Sequence, residues 1–309
     1  MAIEISDPRG NVILQTKDVS FRVCPAVMSD SSPFFDAMFR HGFREGLAVR
    51  NATPENPVTI ELHDDDPDAL RIFVRTAHDQ IVGVPTVPAI DHINRLAMLV
   101  DKYDCAPVMM NYGEVLIYRV LETITTMEEL WLLLQYAYVL NSQTLFNDLS
   151  QRLALQLPCA LESWMYPVDV IAPFIPIAEI IDQVDALRVS YMSTIERILG
   201  APYDKGMSCT CFANPDIVGN YWLQLVQLDI HPLTPFTVFW EKSPPEIIER
   251  TKRLSPAVDA PYIRRCLVCC IHAELLAPAR LAARVERDLA QGLCVGCVNP
   301  GGCEWHPEG

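Results

Sequence analysis

Residues 19–45 read VSFRVCPAVMSDSSPFFDAMFRHGFRE, and this stretch decides the fold prediction. Apolar and polar residues alternate over 19–23, which predicts a strand with one apolar face. Pro25 ends that strand, because proline has no N–H to donate to a neighbouring strand. Ser32 then stands where a helix N-cap belongs, and Pro33 takes the first helical position. The stretch therefore predicts a strand that leads into a helix whose aromatic face packs on a core.

Two further blocks follow in an order that suits a small mixed domain. Residues 58–62, VTIEL, predict a second strand with apolar residues at alternate positions. Asp66 and Pro67 predict the N-cap and first turn of a helix, and the neighbouring carboxylates suit its positive end. Residues 91–105, DHINRLAMLVDKYDC, predict another helix with a buried apolar stripe.

These three blocks, in this order, resemble the BTB/POZ fold. The resemblance is carried by an S-x-x-F-x-x-M-F pattern with an aromatic-x-Glu turn after it, namely Ser32, Phe35, Met38, Phe39, Phe43 and Glu45. It implies an α+β BTB/POZ-like domain, a small sheet with helices, over residues 8–110. A helical extension over 111–158 and a helical C-terminal region with a Cys-rich end over 159–309 complete the predicted, mainly α-helical remainder. With its short N-terminal segment and its cysteine-bearing C-terminal region, the sequence is similar to BTB/POZ proteins of fungal type.

The resemblance implies a protein-protein interaction module. Many BTB domains are substrate adaptors that attach to a cullin scaffold in a ubiquitin ligase, and an aromatic-x-Glu motif forms part of that contact. Phe43 and Glu45 match the motif, and Met38 and Phe39 complete the predicted partner-binding set. The expected partners are a cullin or another BTB protein, with a client on the helical region. The alternative is that Phe43 packs into the domain and Glu45 is a solvated turn residue.

Departures from the family pattern leave the oligomeric state open. Asn11 stands where many BTB domains have Asp, and Val23-Cys24 stands where many have His-Lys. Ten residues precede Asn11 and the predicted first strand, VILQT, that follows it, which we expect to be too few for an additional leading strand and helix. A monomer and a different dimer are both compatible with the sequence.

Composition narrows the class of partner. The formal net charge is −15, the chain has no basic stripe, and nucleic-acid binding needs clustered Lys and Arg. The sequence has neither a secretory signal nor a run of about 18 apolar residues. We therefore predict a protein of the cytoplasm or nucleus that binds neither nucleic acid nor membrane.

Helical spacing continues beyond the three blocks. Residues 108, 112, 115 and 116 form one predicted stripe, and Thr126 with Glu129 forms a capping box that opens the next helix. A third helix is predicted to end at Pro158, a long one near Gly200, and a short one to begin after Ser243.

The cysteines offer one candidate metal site. Eleven cysteines without a secretory signal argue against a disulfide framework. Cys266-x-x-Cys269 and Cys294-x-x-Cys297 are two knuckles that can place four thiolates around one zinc, and Cys303 and His306 follow them. The alternative is that these cysteines are small hydrophobic core residues.

Signatures of phosphate binding, dinucleotide binding, hydrolase elbows and zinc protease helices are missing from the sequence. The leading prediction is a non-catalytic adaptor without a required cofactor. A standalone BTB scaffold or oligomerisation protein with a zinc-stabilised interaction surface comes second, and an enzyme third.

Overall fold

A computed structural model gives the fold and describes most of the chain. The described residues are 2–40, 42–62, 64–80, 83, 90–157, 159–161, 175–207, 214–231, 239–255, 278–289 and 292–298, with the backbone alone for 2, 202–207, 214–217, 278–279 and 296. These residues divide into two compact units, one up to Phe146 and one from Asn147 onward, with Ile175 in the first. The order, an α+β unit followed by a mainly helical region, confirms the predicted fold class.

Four short strands form one mixed sheet in the first unit. They are β1 Ala2–Ile5, β2 Val12–Gln15, β3 Val19–Val23 and β4 Val58–Glu61, in the order β1-β3-β2-β4. Strands β2 and β3 are antiparallel neighbours, and β1 and β4 each add a parallel pair at the sides. Alternate residues of β2 and the apolar residues Phe21 and Val23 of β3 are fully buried, so one face of the sheet lies on the core.

Strand β1 corrects the expectation that the chain before β2 is too short for a leading strand. Its residues pair in register with β3 from Ala2 opposite Val19 to Ile5 opposite Arg22. A four-residue strand and a tight turn precede β2, and described residues 6–11 contain no helix. Gly10 makes the turn possible, because a Cβ there would lie 2.3 Å from the Val23 carbonyl oxygen.

Seven helices complete the described part of the first unit before residue 143. They are α1 Pro25–Ser31, α2 Pro33–Arg40, α3 Arg44–Asn51, α4 Pro67–Ala77, α5 Ile90–Tyr103, α6 Ala106–Leu121 and α7 Met127–Val139. The predicted caps are confirmed. Ser32 Oγ accepts from Phe35 N at 3.3 Å, Asp66 accepts from Ala69 N at 2.8 Å, and Thr126 with Glu129 forms the capping box.

Stacked aromatic rings join α2, α4 and α5 inside the first unit. Phe35 and Tyr103 stack with centroids 4.8 Å apart, and Phe73 stacks on both at 6.1 and 6.2 Å. All three side chains are fully buried. The Tyr103 hydroxyl donates to Asp65 at 2.5 Å, and the Ser32 hydroxyl donates to the Tyr103 carbonyl oxygen at 2.5 Å. Hydrogen bonds at both ends therefore fix Tyr103 in this layer.

The buried face of helix α6 differs from the predicted apolar stripe. Tyr112 and Leu116 are buried as expected, but Val115 is 45% exposed and Met109 is fully buried. The buried face runs through Gly113, where a Cβ would lie 2.5 Å from Leu140 Cδ1. The close approach of α6 to Leu140 at Gly113 decides which face of the helix is buried. The spacing of apolar residues alone does not predict this approach.

The described second unit consists of helices. Helix α8, Gln143–Gln156, begins in the first unit and continues into the second unit, which starts at Asn147. The helices that follow are α9 Ile177–Met207, α10 Asn214–Gln227, α11 Pro244–Thr251, α12 Pro278–Asp288 and α13 Val295–Val298. Helix α9 was predicted to end near Gly200 but continues to Met207. Glycine ends a helix only when its backbone turns left-handed, and Gly200 keeps the helical conformation. Ser243 precedes α11 as predicted, without a capping hydrogen bond from its side chain.

Arg188 is a buried cation that ties the second unit together. Its Nε donates to the Leu157 carbonyl oxygen at 3.0 Å, and its Nη2 donates to that of Trp240 at 2.5 Å. Burial lowers the pKa of Arg188, and Asp185 nearby opposes this effect. The guanidinium thus joins α9 to the end of α8 and to the start of the segment that carries α11.

Candidate partner-binding surface

Helix α3 presents apolar side chains to solvent at its N-terminal end. Phe43 is the N-cap residue of α3 and is 59% exposed, and Leu47, four residues later, is 53% exposed. Residues four apart lie on the same face of a helix, so the two side chains are neighbours. The helix buries Gly46 and Val49, whereas Phe43 and Leu47 stay outside the core. We call Phe43, Glu45 and Leu47 the α3 patch.

Charged groups flank the two apolar side chains of the α3 patch. Glu45 lies half-buried in the first turn of α3, where the helix dipole favours a carboxylate. Arg44 and Arg50 are exposed on the same short helix, and Arg50 Nε donates to the Gly46 carbonyl oxygen at 3.3 Å. An apolar centre with charged neighbours is the layout of an energetic hot spot in protein interfaces.

The four residues predicted to bind a partner separate into two groups. Phe43 is exposed and Glu45 half-buried, but Phe39 is only 4% exposed and packs on Phe35 with centroids 5.5 Å apart. Met38 is half-buried. Phe39 therefore belongs to the core of the domain, which corrects its assignment to the surface. The exposure of Phe43 also disagrees with the alternative in which Phe43 packs into the domain.

Sequence reasoning missed Leu47 as part of this surface. The spacing was available in the sequence, because Leu47 follows Phe43 by four residues, but no helix was predicted over this stretch. Without the observed burial of Val49, however, the spacing does not tell which of the two apolar residues faces solvent.

The second predicted site lies partly outside the described residues. Cys266 and Cys269 are among the residues that the structure does not describe, whereas Cys294 is buried and Cys297 half-buried. Within the described ranges, no three His, Cys, Asp or Glu residues gather closely enough to hold a metal ion. The four-cysteine zinc set stays a prediction.

Side chains of the second unit hold residues 292–298, which we call the C-terminal turn. Leu293 N donates to Ser150 Oγ at 2.8 Å, and Gln183 Nε2 donates to the Cys297 carbonyl oxygen at 3.0 Å. Gln151 Nε2 donates to the carbonyl oxygen of Leu289, just before the turn, at 2.8 Å. The turn therefore has a defined seat on α8 and α9, and Cys294 and Cys297 have defined backbone positions.

Among the helices of the described residues, none combines the length and the apolar character that crossing a membrane requires.

Comparison with known proteins identifies the first unit. A search of curated proteins finds no match. The family model of the BTB/POZ domain matches residues 8–119, a range that contains β2 to β4, the aromatic layer, the α3 patch and most of α6. The match extends past the predicted boundary at residue 110, which falls inside α6. Residues 8–119 therefore form a BTB/POZ domain.

Proposed function

We propose that this protein is a non-catalytic adaptor whose BTB/POZ domain docks on a cullin-type scaffold of a ubiquitin ligase through the α3 patch. The proposal rests on one observation, the exposed Phe43 beside Glu45 at the N-terminal end of α3. BTB/POZ domains mediate protein-protein interactions, which gives the coarser function. In this proposal the helical region binds the client, and the protein resides in the cytoplasm or nucleus.

The α3 patch suits an apolar pocket with a cation at its edge. Phe43 and Leu47 supply adjacent side chains that lose contact with water on docking, and Glu45 supplies a directional charge contact. Removing an aromatic anchor of this kind costs about 1 to 3 kcal/mol of binding free energy. A loss of this size corresponds to an increase in Kd of about 5- to 150-fold.

The test compares coprecipitation of a cullin with the native protein, with Phe43→Ala and with Glu45→Ala. The control is Met98→Ala on α5, because Met98 is also an exposed apolar residue, at 57%, and lies outside the α3 patch. We expect the native protein and the control to retain cullin, and the two patch variants to lose it. A native protein that binds no cullin removes the adaptor proposal, and equal binding by all variants removes the α3 patch from it.

The second candidate is a standalone BTB scaffold or oligomerisation protein with a zinc-stabilised interaction surface. The hydrogen bonds of Ser150 and Gln183 to the C-terminal turn favour this candidate, because a knuckle needs a fixed backbone to hold two sulfur ligands. The predicted ligands are Cys266, Cys269, Cys294 and Cys297. Metal analysis of the purified protein tests this candidate, which requires about one zinc per chain and fails below about half an equivalent.

A further inference from the structure

The connection between α3 and β4 is an exposed turn in which proline follows threonine. Residues 53–56 read TPEN, and all four are exposed. Thr53 N donates to the Asn56 carbonyl oxygen at 3.2 Å, and Asn56 N donates back to the Thr53 carbonyl oxygen at 3.0 Å. Asn56 N also donates to Thr53 Oγ1 at 3.2 Å, so the threonine hydroxyl belongs to the turn and stays outside the core. We call residues 53–56 the α3–β4 turn.

Arg22 on β3 holds the α3–β4 turn against the sheet. Its Nη2 donates to the Pro54 carbonyl oxygen at 2.5 Å, and its Nε donates to the Gly10 carbonyl oxygen at 2.8 Å. Just before the turn, Asn11 Nδ2 donates to the Ala52 carbonyl oxygen at 3.0 Å. Within the described part of the chain, Nη1 of Arg22 binds no acceptor. The guanidinium is therefore fixed beside the turn with a donor group to spare.

Arg50 brings a second cation to the α3–β4 turn. It lies in the last turn of α3, three residues before Thr53, and is exposed. Among the described residues, neither Arg22 nor Arg50 has a carboxylate within ion-pair distance. The chain has 39 acidic and 24 basic side chains, so its composition alone offers every arginine an acidic partner. Two arginines beside one turn that lack such a partner form a receptor for an anion.

We propose that Thr53 is a phosphorylation site whose phosphate is bound by Arg22 and Arg50. Thr53 Oγ1 attacks the γ-phosphorus of ATP on a protein kinase that accepts proline after the threonine. The Oγ1–P bond forms while the bond from this phosphorus to the β-phosphate oxygen breaks, and ADP leaves with the electron pair. The hydroxyl proton passes to the catalytic carboxylate of the kinase.

The product has the charge and the reach that the two arginines require. A phosphothreonine carries a charge of about −1.5 to −2 and three strong acceptor oxygens. The carbonyl oxygen that Arg22 binds belongs to Pro54, and consecutive Cα atoms lie about 3.8 Å apart, so the phosphate starts next to this guanidinium. An arginine binds phosphate through two parallel N–H···O bonds, which suits the unused Nη1 of Arg22.

The position of Thr53 makes the arginines decisive for the effect of the modification. Thr53 directly follows Ala52, the C-cap of α3, where the helix dipole is negative. A phosphate alone destabilises a helix at this end through repulsion of like charges. Binding of the phosphate by Arg22 and Arg50 reverses that sign, because it ties the end of α3 to β3 through charge-assisted hydrogen bonds.

The modification site is independent of the proposed docking on a cullin. Phe43 caps the opposite end of α3, and eight helical residues span about 12 Å. Phosphate at Thr53 therefore leaves the α3 patch exposed. A failure to bind cullin and a failure to carry phosphate are separate results.

Mass spectrometry tests whether Thr53 is modified. The samples are the protein purified from the cells in which it naturally occurs, and the recombinant protein after incubation with ATP and a proline-directed kinase. We expect phosphate on Thr53 in both samples and none at this site in Thr53→Val. Thr59, which is exposed on β4 and precedes isoleucine, is the internal control and should stay unmodified. Absence of phosphate from Thr53 in either sample overturns the proposal.

Hydrogen exchange of the Asn56 amide tests the role of the arginines. Phosphorylation of the native sequence should slow this exchange about 3- to 10-fold, the effect of a charge-assisted hydrogen bond that is partly screened by solvent. The slowing should be the same in the control Arg75→Gln, at an exposed position of α4, and should disappear in Arg22→Gln and in Arg50→Gln. In the double variant Arg22→Gln/Arg50→Gln, phosphorylation should accelerate the exchange.

Each variant is compared with its own unphosphorylated form, so a loss of stability caused by the substitution itself cancels. Arg50 is exposed, and Arg50→Gln gives the result even where Arg22→Gln fails to fold. Slowing that persists in Arg50→Gln, or exchange that phosphorylation of the native sequence does not change, contradicts phosphate binding by these arginines.

Discussion

Replacing Phe35 by alanine tests whether the stacked aromatic layer holds the BTB/POZ domain together, and the adjacent Phe34 provides the control. Phe35 is fully buried and stacks on Phe73 and Tyr103, whereas Phe34 is 40% exposed and meets Tyr103 edge-on with centroids 5.1 Å apart. Truncation of a buried Phe costs about 3 to 5 kcal/mol. Phe34 is only partly buried and makes two edge-on ring contacts, with Phe35 and Tyr103, so Phe34→Ala should cost about 1 to 2 kcal/mol.

The thiol of Cys105 reports on the opening of this domain. Cys105 is fully buried just after α5, and burial raises the pKa of its thiol, so it stays unreactive in the folded state. When opening and closing are fast, its alkylation rate is proportional to the population of open molecules. Because about 1.4 kcal/mol is tenfold, Phe35→Ala should accelerate labelling about 100- to 4000-fold and Phe34→Ala about 5- to 30-fold.

Peptide mapping by mass spectrometry separates the labelling of Cys105 from that of the other cysteines. Because the labelling rate is measured under native conditions, the test does not assume that a chain of two units unfolds in a two-state transition. Equal acceleration by the two variants would refute the reasoning, because burial and stacking are what distinguish two neighbouring phenylalanines. No acceleration by Phe35→Ala would show that α2 and α5 are held together by other contacts.

Three further predictions concern single contacts. Arg188→Met removes the hydrogen-bond donor of the Leu157 and Trp240 carbonyl oxygens. It should lower the free energy of unfolding of the second unit, measured by hydrogen exchange, by about 2 to 4 kcal/mol. The control is Arg197→Ala at an exposed position of the same helix, which should change that free energy by less than about 0.5 kcal/mol. Backbone N–H groups of Thr125 and Thr126 lower the pKa of Glu129 below 4.5, so its contribution to capping α7 is complete above that pH and lost as the pH falls through the lowered value. In Glu129→Gln this part of the pH dependence of urea unfolding should disappear, and a profile identical to that of the native protein would contradict the capping role. Gly113→Ala should destabilise the first unit by about 1 to 3 kcal/mol, since its Cβ meets Leu140 at 2.5 Å, whereas Gly219→Ala, with nothing within 4 Å, should stabilise the second unit by about 0.5 to 1 in thermal unfolding.

Local patterns predicted the caps and the buried faces of several elements. The stripe of α5 from Ile93 to Tyr103 and the cap at Asp66 follow from residue spacing and side-chain hydrogen bonding within one turn. The ordered blocks also predicted the BTB/POZ domain, which the family match confirms. These features depend on neighbours in sequence, so one chain is enough to find them.

Features that depend on distant partners were missed or misplaced. Strand β1 exists because it pairs with β3, and four residues at the start of a chain carry no signal of that partner. The resemblance placed both Phe39 and Phe43 in the partner-binding set, and only the packing of Phe39 on Phe35 shows that Phe39 lies inside the domain. The cullin contact, the zinc, the intracellular location and the likeness to fungal proteins stay predictions.

The strand order has a consequence for how this domain is made. Among the paired strands of this sheet, β2 and β3 are the two that a short turn joins, and Thr16 in that turn donates to the Val19 carbonyl oxygen at 2.8 Å. This hairpin can nucleate as soon as it leaves the ribosome, whereas β4 must wait for some forty more residues of synthesis before its parallel pairing with β2. The nascent sheet therefore exposes one side of β2 during that interval, and we expect chaperones to engage it there.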